Sequence, residues 1–283
     1  MYDSVGIIPR KDRDTSLRKT KEICDYLLKK NIGVRVEKEV SELLGYPHLG
    51  SDLHKEALDL AVTVGGDGTI LRAASILKKP ETPLLTVNMG MRGFLTEVGP
   101  EEALDAIDRV LSGDYMLESC SKISSWTRNG DKFQDSLNEV LIASSLPSKM
   151  LRLELYVDGT EVFDFQSDGI IVATPTGSTA YSLSAGGSIL ATSVEAMIVT
   201  AVCPLSPFKS MVVPQESTIE VKLTKPETSA LVVVDGIVQK TLRPEDTVIA
   251  KKSDHKAVFV RFQPFYSRLK NRLLFSYKGN GTE

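Results

Sequence analysis

Apolar residues fall in two textures along the chain, and the change comes near Tyr115. Before it, short apolar runs alternate with longer amphipathic stretches. "SVGIIP" (4–9) has the compact run of a buried strand, whereas Thr15–Lys30 spaces Leu17, Ile23, Tyr26, Leu27 and Leu28 as one face of a helix. "GVRVEKEV" (33–40) reads as extended. "LDLAVTV" (58–64) is nearly unbroken, as expected of a parallel strand covered on both faces. A helix is expected from Thr69 to Leu77, a strand at "PLLTVN" (83–88), and a second helix opened by Pro100 and stopped by Gly113. This alternation predicts an open, mostly parallel α/β sheet.

Beyond Tyr115 the runs are short and rich in valine and isoleucine: "DSLNEVLIAS", "LRLELYVDGTEVFDFQSDGIIVAT", "TIEVKLT", "ALVVVDGIVQ" and "AVFVRFQP". Val157-Asp158-Gly159-Thr160 and Asp235-Gly236 are hairpin-turn sequences. A β-rich, sandwich-like C-terminal domain is expected, mostly antiparallel. The boundaries drawn from these textures are 1–115 for the α/β domain and 116–263 for the β-rich domain. Residues 264–283 form a C-terminal segment whose "FYSRLKNRLLF" has helical spacing and is expected to pack back on the first domain. Trp126 is expected in the core, and the polar end "KGNGTE" is expected to fray.

Composition narrows the function classes. The 283 residues are 42% hydrophobic and 25% charged, the balance of a globular protein of one large or two ordinary domains. A formal net charge of −3 supplies no global basic field for nucleic acid or anionic lipid. No run approaches the ~20 apolar residues of a membrane span, and the amino terminus lacks the apolar stretch of a signal peptide. Cys24, Cys120 and Cys203 are scattered, and His48, His54 and His255 do not cluster, which argues against a disulfide framework and a zinc site. The expectation is a cytoplasmic protein with neither nucleic acid nor membrane as partner.

"VGGDGT" (64–69) joins a buried strand to a helix. In open α/β sheets ligands bind at the carboxyl ends of the strands, where free N–H groups and the helix dipole favour an anion. Gly65, Gly66, Gly68 and Thr69 would cradle a phosphate, the glycines taking positive φ and letting the backbone approach an oxygen. Neither G-x-x-x-x-G-K-[ST] nor a full G-x-G-x-x-G is present, so this is no P-loop and no ordinary dinucleotide fingerprint. Asp67 is out of place in a bare anion cradle. It either caps the helix as part of a turn dipeptide, or holds Mg²⁺ beside phosphates, or takes a proton from a hydroxyl attacking phosphorus. The last two mean phosphoryl transfer and a nucleotide-binding first domain.

Two further stretches carry candidate chemistry. In "SDGIIVATPTGSTAYSLSAGG" (167–187), Thr174, Thr176, Ser178, Thr179, Ser182 and Ser184 crowd hydroxyls around the start of an expected helix. They suit phosphate or ribose oxygens, and Tyr181 could stack on a base; the alternative is an ordinary capped helix. In "SLNEVLIAS" (136–144), strand alternation puts Leu137, Glu139 and Leu141 on one face and Asn138, Val140 and Ile142 on the other. A carboxylate between two leucines needs a partner. A ribose diol would serve; the alternative is an exposed or edge strand. "NMGMRGFLTE" (88–97) is a candidate ligand loop through Arg92 and Phe94, and Arg72, Lys149 and Arg152 are candidate phosphate contacts.

"GGDGT" (65–69), "NE" (138–139) and the hydroxyl-rich block, in this order and spacing, resemble the NAD kinases. The resemblance covers nearly the whole chain. Lipid kinases and phosphofructokinases carry turns similar to "GGDGT", but the block joined to "NE" is far more discriminating. The family moves the γ-phosphate of ATP, or a phosphoryl group of polyphosphate, onto the 2′-hydroxyl of the adenosine ribose of NAD, making NADP. The resemblance implies a homodimer or homotetramer, with Mg²⁺ or another divalent cation arriving with ATP and no dedicated protein metal site. It makes Asp67 the catalytic base, with Gly68 beside it, and Asn138 and Glu139 the holders of the NAD adenosine. It gives Gln166 and Asp168 polar NAD contacts, with Ala173 on that wall, and makes Thr179, Ala180, Tyr181, Ser182, Leu183 and Ser184 an NAD-binding helix start. Arg72, Lys149 and Gln239 are further contacts. The chain departs from the family at Met91-Arg92, where a small residue and a leucine are common, and at Leu205, where many members have histidine; both bear on the phosphate donor. The competing expectations are a GGDGT-type kinase with a lipid or sugar acceptor, and a non-catalytic NAD- or NADP-binding module.

Overall fold

The structure, a computed structural model, describes residues 2–90, 93–224 and 229–274. The chain forms two units, Met1–Ser119 with Ala257–Glu283, and Cys120–Lys256. Among the described residues no helix is long and apolar enough to cross a membrane.

The first unit opens with β1 (Ser4–Pro9), α1 (Asp14–Lys29), β2 (Gly33–Glu37), α2 (Lys38–Leu44), β3 (Gly50–Ser51), β4 (Leu60–Gly65), α3 (Asp67–Ile76), β5 (Leu84–Asn88) and α4 (Ala103–Ser112). Its strands pair in parallel in the order β3-β2-β1-β4-β5, as the alternating pattern predicts. Ile7, Leu60, Val62, Val64, Leu85 and Val87 pack with Ile23 and Leu27 of α1 and Ile107 and Val110 of α4. The "EKEV" stretch, expected to be extended, instead turns into α2. Val40 and Leu44, four residues apart, face the core together, and Gly45 ends the helix at φ 77°.

The second unit holds most of β6 (Met116–Thr127), then β7 (Glu139–Ser144), β8 (Leu151–Val157), β9 (Thr160–Ser167), β10 (Gly169–Ala173), the single-turn α5 (Tyr181–Ser184), β11 (Ala196–Val202), β12 (Ser210–Pro214), β13 (Ile219–Leu223), β14 (Ala230–Val234), β15 (Ile237–Leu242) and the first part of β16 (Thr247–Arg261). Two antiparallel arrays result, β12-β11-β10-β7-β14-β15 and β16-β13-β8-β9. Alternate side chains of both meet in one core, Val140, Ile142, Val172, Val199 and Val232 from the first with Leu153, Leu155, Val221 and Val248 from the second. Both Asp-Gly turns have the left-handed backbone of tight hairpins, at φ 50° and 79° for Asp158-Gly159 and 48° and 81° for Asp235-Gly236. Trp126 is half-buried and not among the core side chains.

The end of the chain completes the first unit. Phe259 of β16 pairs in parallel with Leu84 of β5, and α6 (Phe265–Leu274) follows. Arg261 is buried, donating to Glu118 at 2.7 Å, to Glu97 at 3.0 Å and to the Leu95 carbonyl at 2.9 Å. Arg268 of α6 grips Glu118 at 2.8 Å. The "KGNGTE" end lies outside the described residues. Replacing Arg261 by methionine leaves the Glu97 carboxylate buried without its cation. A loss of about 3–5 kcal/mol is expected, read as a lower denaturation midpoint of the purified protein; an unchanged midpoint contradicts this assignment.

Candidate active site

The first cluster is built on the β4–α3 junction. Gly66 is extended, at φ −109° and ψ −168°, and Gly65 and Gly68 likewise lack positive φ. The expected left-handed glycines are therefore corrected: close approach is the requirement here. A Cβ on Gly65 would sit 2.2 Å from the Thr69 hydroxyl, whereas on Gly66 or Gly68 it would meet nothing within 4 Å. Those two glycines open onto a cavity of about 440 Å³, lined also by Pro9, Arg10, Lys11, Asp12, Thr69 and Arg72. Each cation is held by carboxylates: Arg10 by Asp12 at 2.7 Å, Lys11 by Glu37 and Glu39 at 3.2 and 2.9 Å, and Arg72 by Glu37 at 2.7 Å. Sequence reasoning missed Arg10 and Lys11. Their signal was the "PRK" run at the carboxyl end of β1, the end of a parallel strand where ligands bind.

Asp67 opens α3 without capping it. Its carboxylate turns away and accepts the N–H of Phe94 at 2.8 Å and of Leu95 at 3.0 Å, so the capping alternative does not hold. Gly93 makes the approach possible, since a Cβ there would lie 2.9 Å from Asp67 Oδ1. One N–H on each oxygen fixes the carboxylate plane and leaves further acceptor capacity on both. Phe94 thus serves through its amide, while Met91 and Arg92 lie outside the described residues.

The second cluster surrounds the start of β7. This strand is central, between β10 and β14, and Glu139 is only 9% exposed, which removes the edge-strand alternative. Ala173 lies directly opposite Glu139 in register. Asn138 Oδ1 and Glu139 Oε2 are buried with no hydrogen-bond partner. Burial, then the charge of Asp235, pushes the Glu139 carboxyl up to about 7. Asp235 accepts the N–H groups of Leu137, Asn138 and Glu139 at 2.7, 2.8 and 3.1 Å. Gly177 packs on the same corner, where a Cβ would come within 2.0 Å of the Asn138 carbonyl oxygen. Thr174 binds it too, its N–H to Asn138 O at 2.9 Å and its hydroxyl to Leu137 O at 2.6 Å.

Comparison with known proteins identifies this arrangement. A model of the ATP-NAD kinase N-terminal domain matches residues 5–115, and one of the ATP-NAD kinase C-terminal domain matches residues 137–262. The chain belongs to the ATP-NAD kinase family. It is 38% identical over 275 residues to the NAD kinase of Methanothermobacter thermautotrophicus, covering 95% of this chain and 96% of that one. It is 39% identical over 268 residues to the bifunctional NADP phosphatase/NAD kinase of Methanocaldococcus jannaschii, covering 93% and 46%. Its fold matches yeast NADH kinase complexed with NADH at a TM-score of 0.89 and 25% identity, covering 99% and 89%. An NAD kinase from Archaeoglobus fulgidus in complex with ATP matches at 0.75 and 29%, covering 98% and 100%. The protein is accordingly a phosphotransferase with NAD kinase function, and the α/β plus β-rich architecture is that of its family.

Within this NAD kinase, the structure keeps some of the carried-over residues together and separates others. Hydroxyls of the 174–184 block mostly face inward. Ser178 donates to Pro175 O at 2.6 Å and accepts the Leu190 N–H at 2.9 Å, Thr179 donates to Thr176 O at 3.0 Å, and buried Ser182 pairs with Thr200 at 2.9 Å. The expected helix start is a 3₁₀ turn (Gly177–Thr179) followed by one α turn. Too short to build a macrodipole, it offers a ligand Ala180, Tyr181, Leu183 and Ser184, with Tyr181 43% exposed. Ser182 is not available. Asp168 stands at the other end of β10 from Ala173, and Gln166 lies two residues further back, on β9. At 3.4 Å per residue, Asp168 is roughly 17 Å along the sheet from Ala173. Exposed Lys149 follows the far end of β7, so these three do not converge with Asn138 and Glu139 within the unit. Arg152 is paired with Asp164 at 2.6 Å. Gln239, on β15, donates to Ile237 O at 3.2 Å, and Leu205 is exposed.

A raised carboxyl pKa means that Glu139 favours folding in its protonated form. That contribution is complete below the unfolded value and is lost as pH rises through about 7. Glu139→Gln removes the titration. The melting temperature of the ligand-free variant should rise relative to the parent between pH 5 and 8, by the equivalent of about 2–3 kcal/mol. A constant difference across this range would remove the pKa assignment.

Proposed function

We propose that Asp67 is the base of the NAD kinase reaction and that Asn138 and Glu139 hold the adenosine of NAD. One observation carries the reading: a carboxylate clamped by two main-chain amides, on the residue between two bare glycines that line a cavity together with three cations. ATP phosphates lie over Gly66, Gly68 and Thr69, and Arg10, Lys11 and Arg72 exchange their carboxylate partners for phosphate oxygens. The 2′-oxygen of the ribose forms its bond to the γ-phosphorus as its proton passes to Asp67, and the bond to ADP breaks with its electron pair leaving on ADP. Charge developing on the departing phosphate is met by the three cations and the glycine-turn amides. The free oxygens of Asn138 and Glu139 accept donors of the adenosine.

Among the described residues no group of three His, Cys, Asp or Glu side chains could hold a metal. The divalent cation in this reading is part of the substrate, bound by the phosphates of ATP. ATP is the donor because a nucleotide matches the family; polyphosphate is the competing donor to assay beside it. The reading also takes the enzyme to be cytoplasmic and homo-oligomeric, supported by three free cysteines and by Val212, Ile237 and Val238 exposed on edge strands β12 and β15.

Losing a positioned base lowers turnover by about 10²–10⁴-fold. Asp67→Asn should show that loss in kcat for NADP formation from NAD and ATP, with NAD affinity by calorimetry and the melting temperature nearly unchanged. Turnover close to the parent's removes Asp67 from this role.

A further inference from the structure

We infer that Asp235 is a positioning residue of the kinase: its carboxylate fixes the main chain of Leu137–Glu139 so that Asn138 and Glu139 present their free oxygens to NAD. The inference rests on the proposed adenosine-holding role of that pair. Sequence patterning accounts for Asp235-Gly236 only as a hairpin turn, and any turn residue tolerant of left-handed φ would satisfy that. The structure adds three hydrogen bonds to consecutive N–H groups across the hairpin, at 2.7, 2.8 and 3.1 Å, and a return bond from the Asp235 N–H to the Glu139 carbonyl at 3.1 Å. Leu137 and Asn138 precede β7, so the sheet ladder supplies no partner for their donors. Buried N–H groups left unmatched there would be costly. The turn conformation, at φ 48° for Asp235, aims the carboxylate back at this corner.

Charge matters as well as shape. The titratable groups acting on Asp235 are Glu139 itself and Lys122 of β6, and Lys122 in turn faces Asp135 ahead of β7. Lys122, only 3% exposed, attracts both Asp135 and Asp235. Asp135 is also held by the hydroxyls of Ser124 and Ser253, each at 2.6 Å. Burial raises the Asp235 carboxyl, while its three amides and Lys122 pull it back. Its negative charge in turn opposes ionisation of Glu139. Asp235 therefore fixes the main chain that carries Glu139 and adds to the rise in its carboxyl pKa that burial begins.

Asp235→Asn separates these effects from the turn. Asparagine accepts left-handed φ and keeps one acceptor oxygen, but loses the charge and one amide partner. The expected result is a KM for NAD raised about tenfold or more, the loss of a hydrogen bond to a charged group, with kcat and the KM for ATP changed far less. The acid limb of kcat/KM for NAD, near pH 7 in the parent, should move to lower pH because the like charge beside Glu139 is gone. A role confined to folding would leave that limb in place. Combined with Glu139→Gln, the effects on KM should fall short of additive. A folded Asp235→Asn enzyme with the parent's KM for NAD, or with an unmoved acid limb, overturns the inference. If that variant does not melt cooperatively, Asp235→Ser is judged by the same two criteria. The underlying reading fails separately: Glu139→Gln with the parent's KM for NAD sinks the adenosine-holding role, whereas Glu139→Gln raising that KM while Asp235→Asn does not sinks only the role of Asp235.

Discussion

Both corners to which we assign a role in catalysis depend on one device, a carboxylate gripped by successive main-chain N–H groups. In the first unit Asp67 takes the amides of Phe94 and Leu95; in the second, Asp235 takes those of Leu137, Asn138 and Glu139. Charge-assisted bonds of this kind are short and directional, and several amides converging on one side chain leave it few rotamers. Asp67 is held where it has acceptor capacity to spare. Asp235 itself touches no ligand in this reading and instead organises the residues that do.

The phosphate-side cavity has a different physical character. Its cations stay near the surface and rest in ion pairs with Asp12, Glu37 and Glu39. The exposed pairs Arg10–Asp12 and Lys11–Glu39 are worth roughly 0–1 kcal/mol, so in the proposed reading exchanging these carboxylates for a multiply charged phosphate meets little resistance, whereas the pairs to Glu37 are half-buried. The pairs also keep the flexible arginine and lysine side chains near their working positions when no ligand is bound. Glycines at 66 and 68 complete the arrangement by leaving the floor without side chains.

Support for Asp67 reaches beyond its own loop. The Leu95 carbonyl accepts a hydrogen bond from Arg261, and Glu97, two residues on, shares that guanidinium. Glu118 and Arg268 extend the buried network into α6. The carboxyl-terminal strand and helix thereby brace the segment that clamps the proposed base.

Much of this was legible in the sequence. The period of apolar residues determined the parallel strands, the long helices and the shift to antiparallel structure after residue 115, because burial of one face or two leaves a direct imprint on the order of side chains. The spacing of "GGDGT", "NE" and the hydroxyl-rich block was enough to place the chain among the NAD kinases. Partnership was not legible. A hydroxyl reads the same whether it faces a ligand or, like Ser182, a neighbouring threonine, and Gln166 and Asp168 read as close to Ala173 although they lie on β9 and at the start of β10, away from its end. Asp235 looked like half of a turn, and nothing in the local pattern singled out Arg10 and Lys11. These roles arise from contacts between residues up to about a hundred positions apart, which only the pairing of strands brings together. Local pattern encodes which face of an element is buried; which polar atoms meet across it was decided by the tertiary structure.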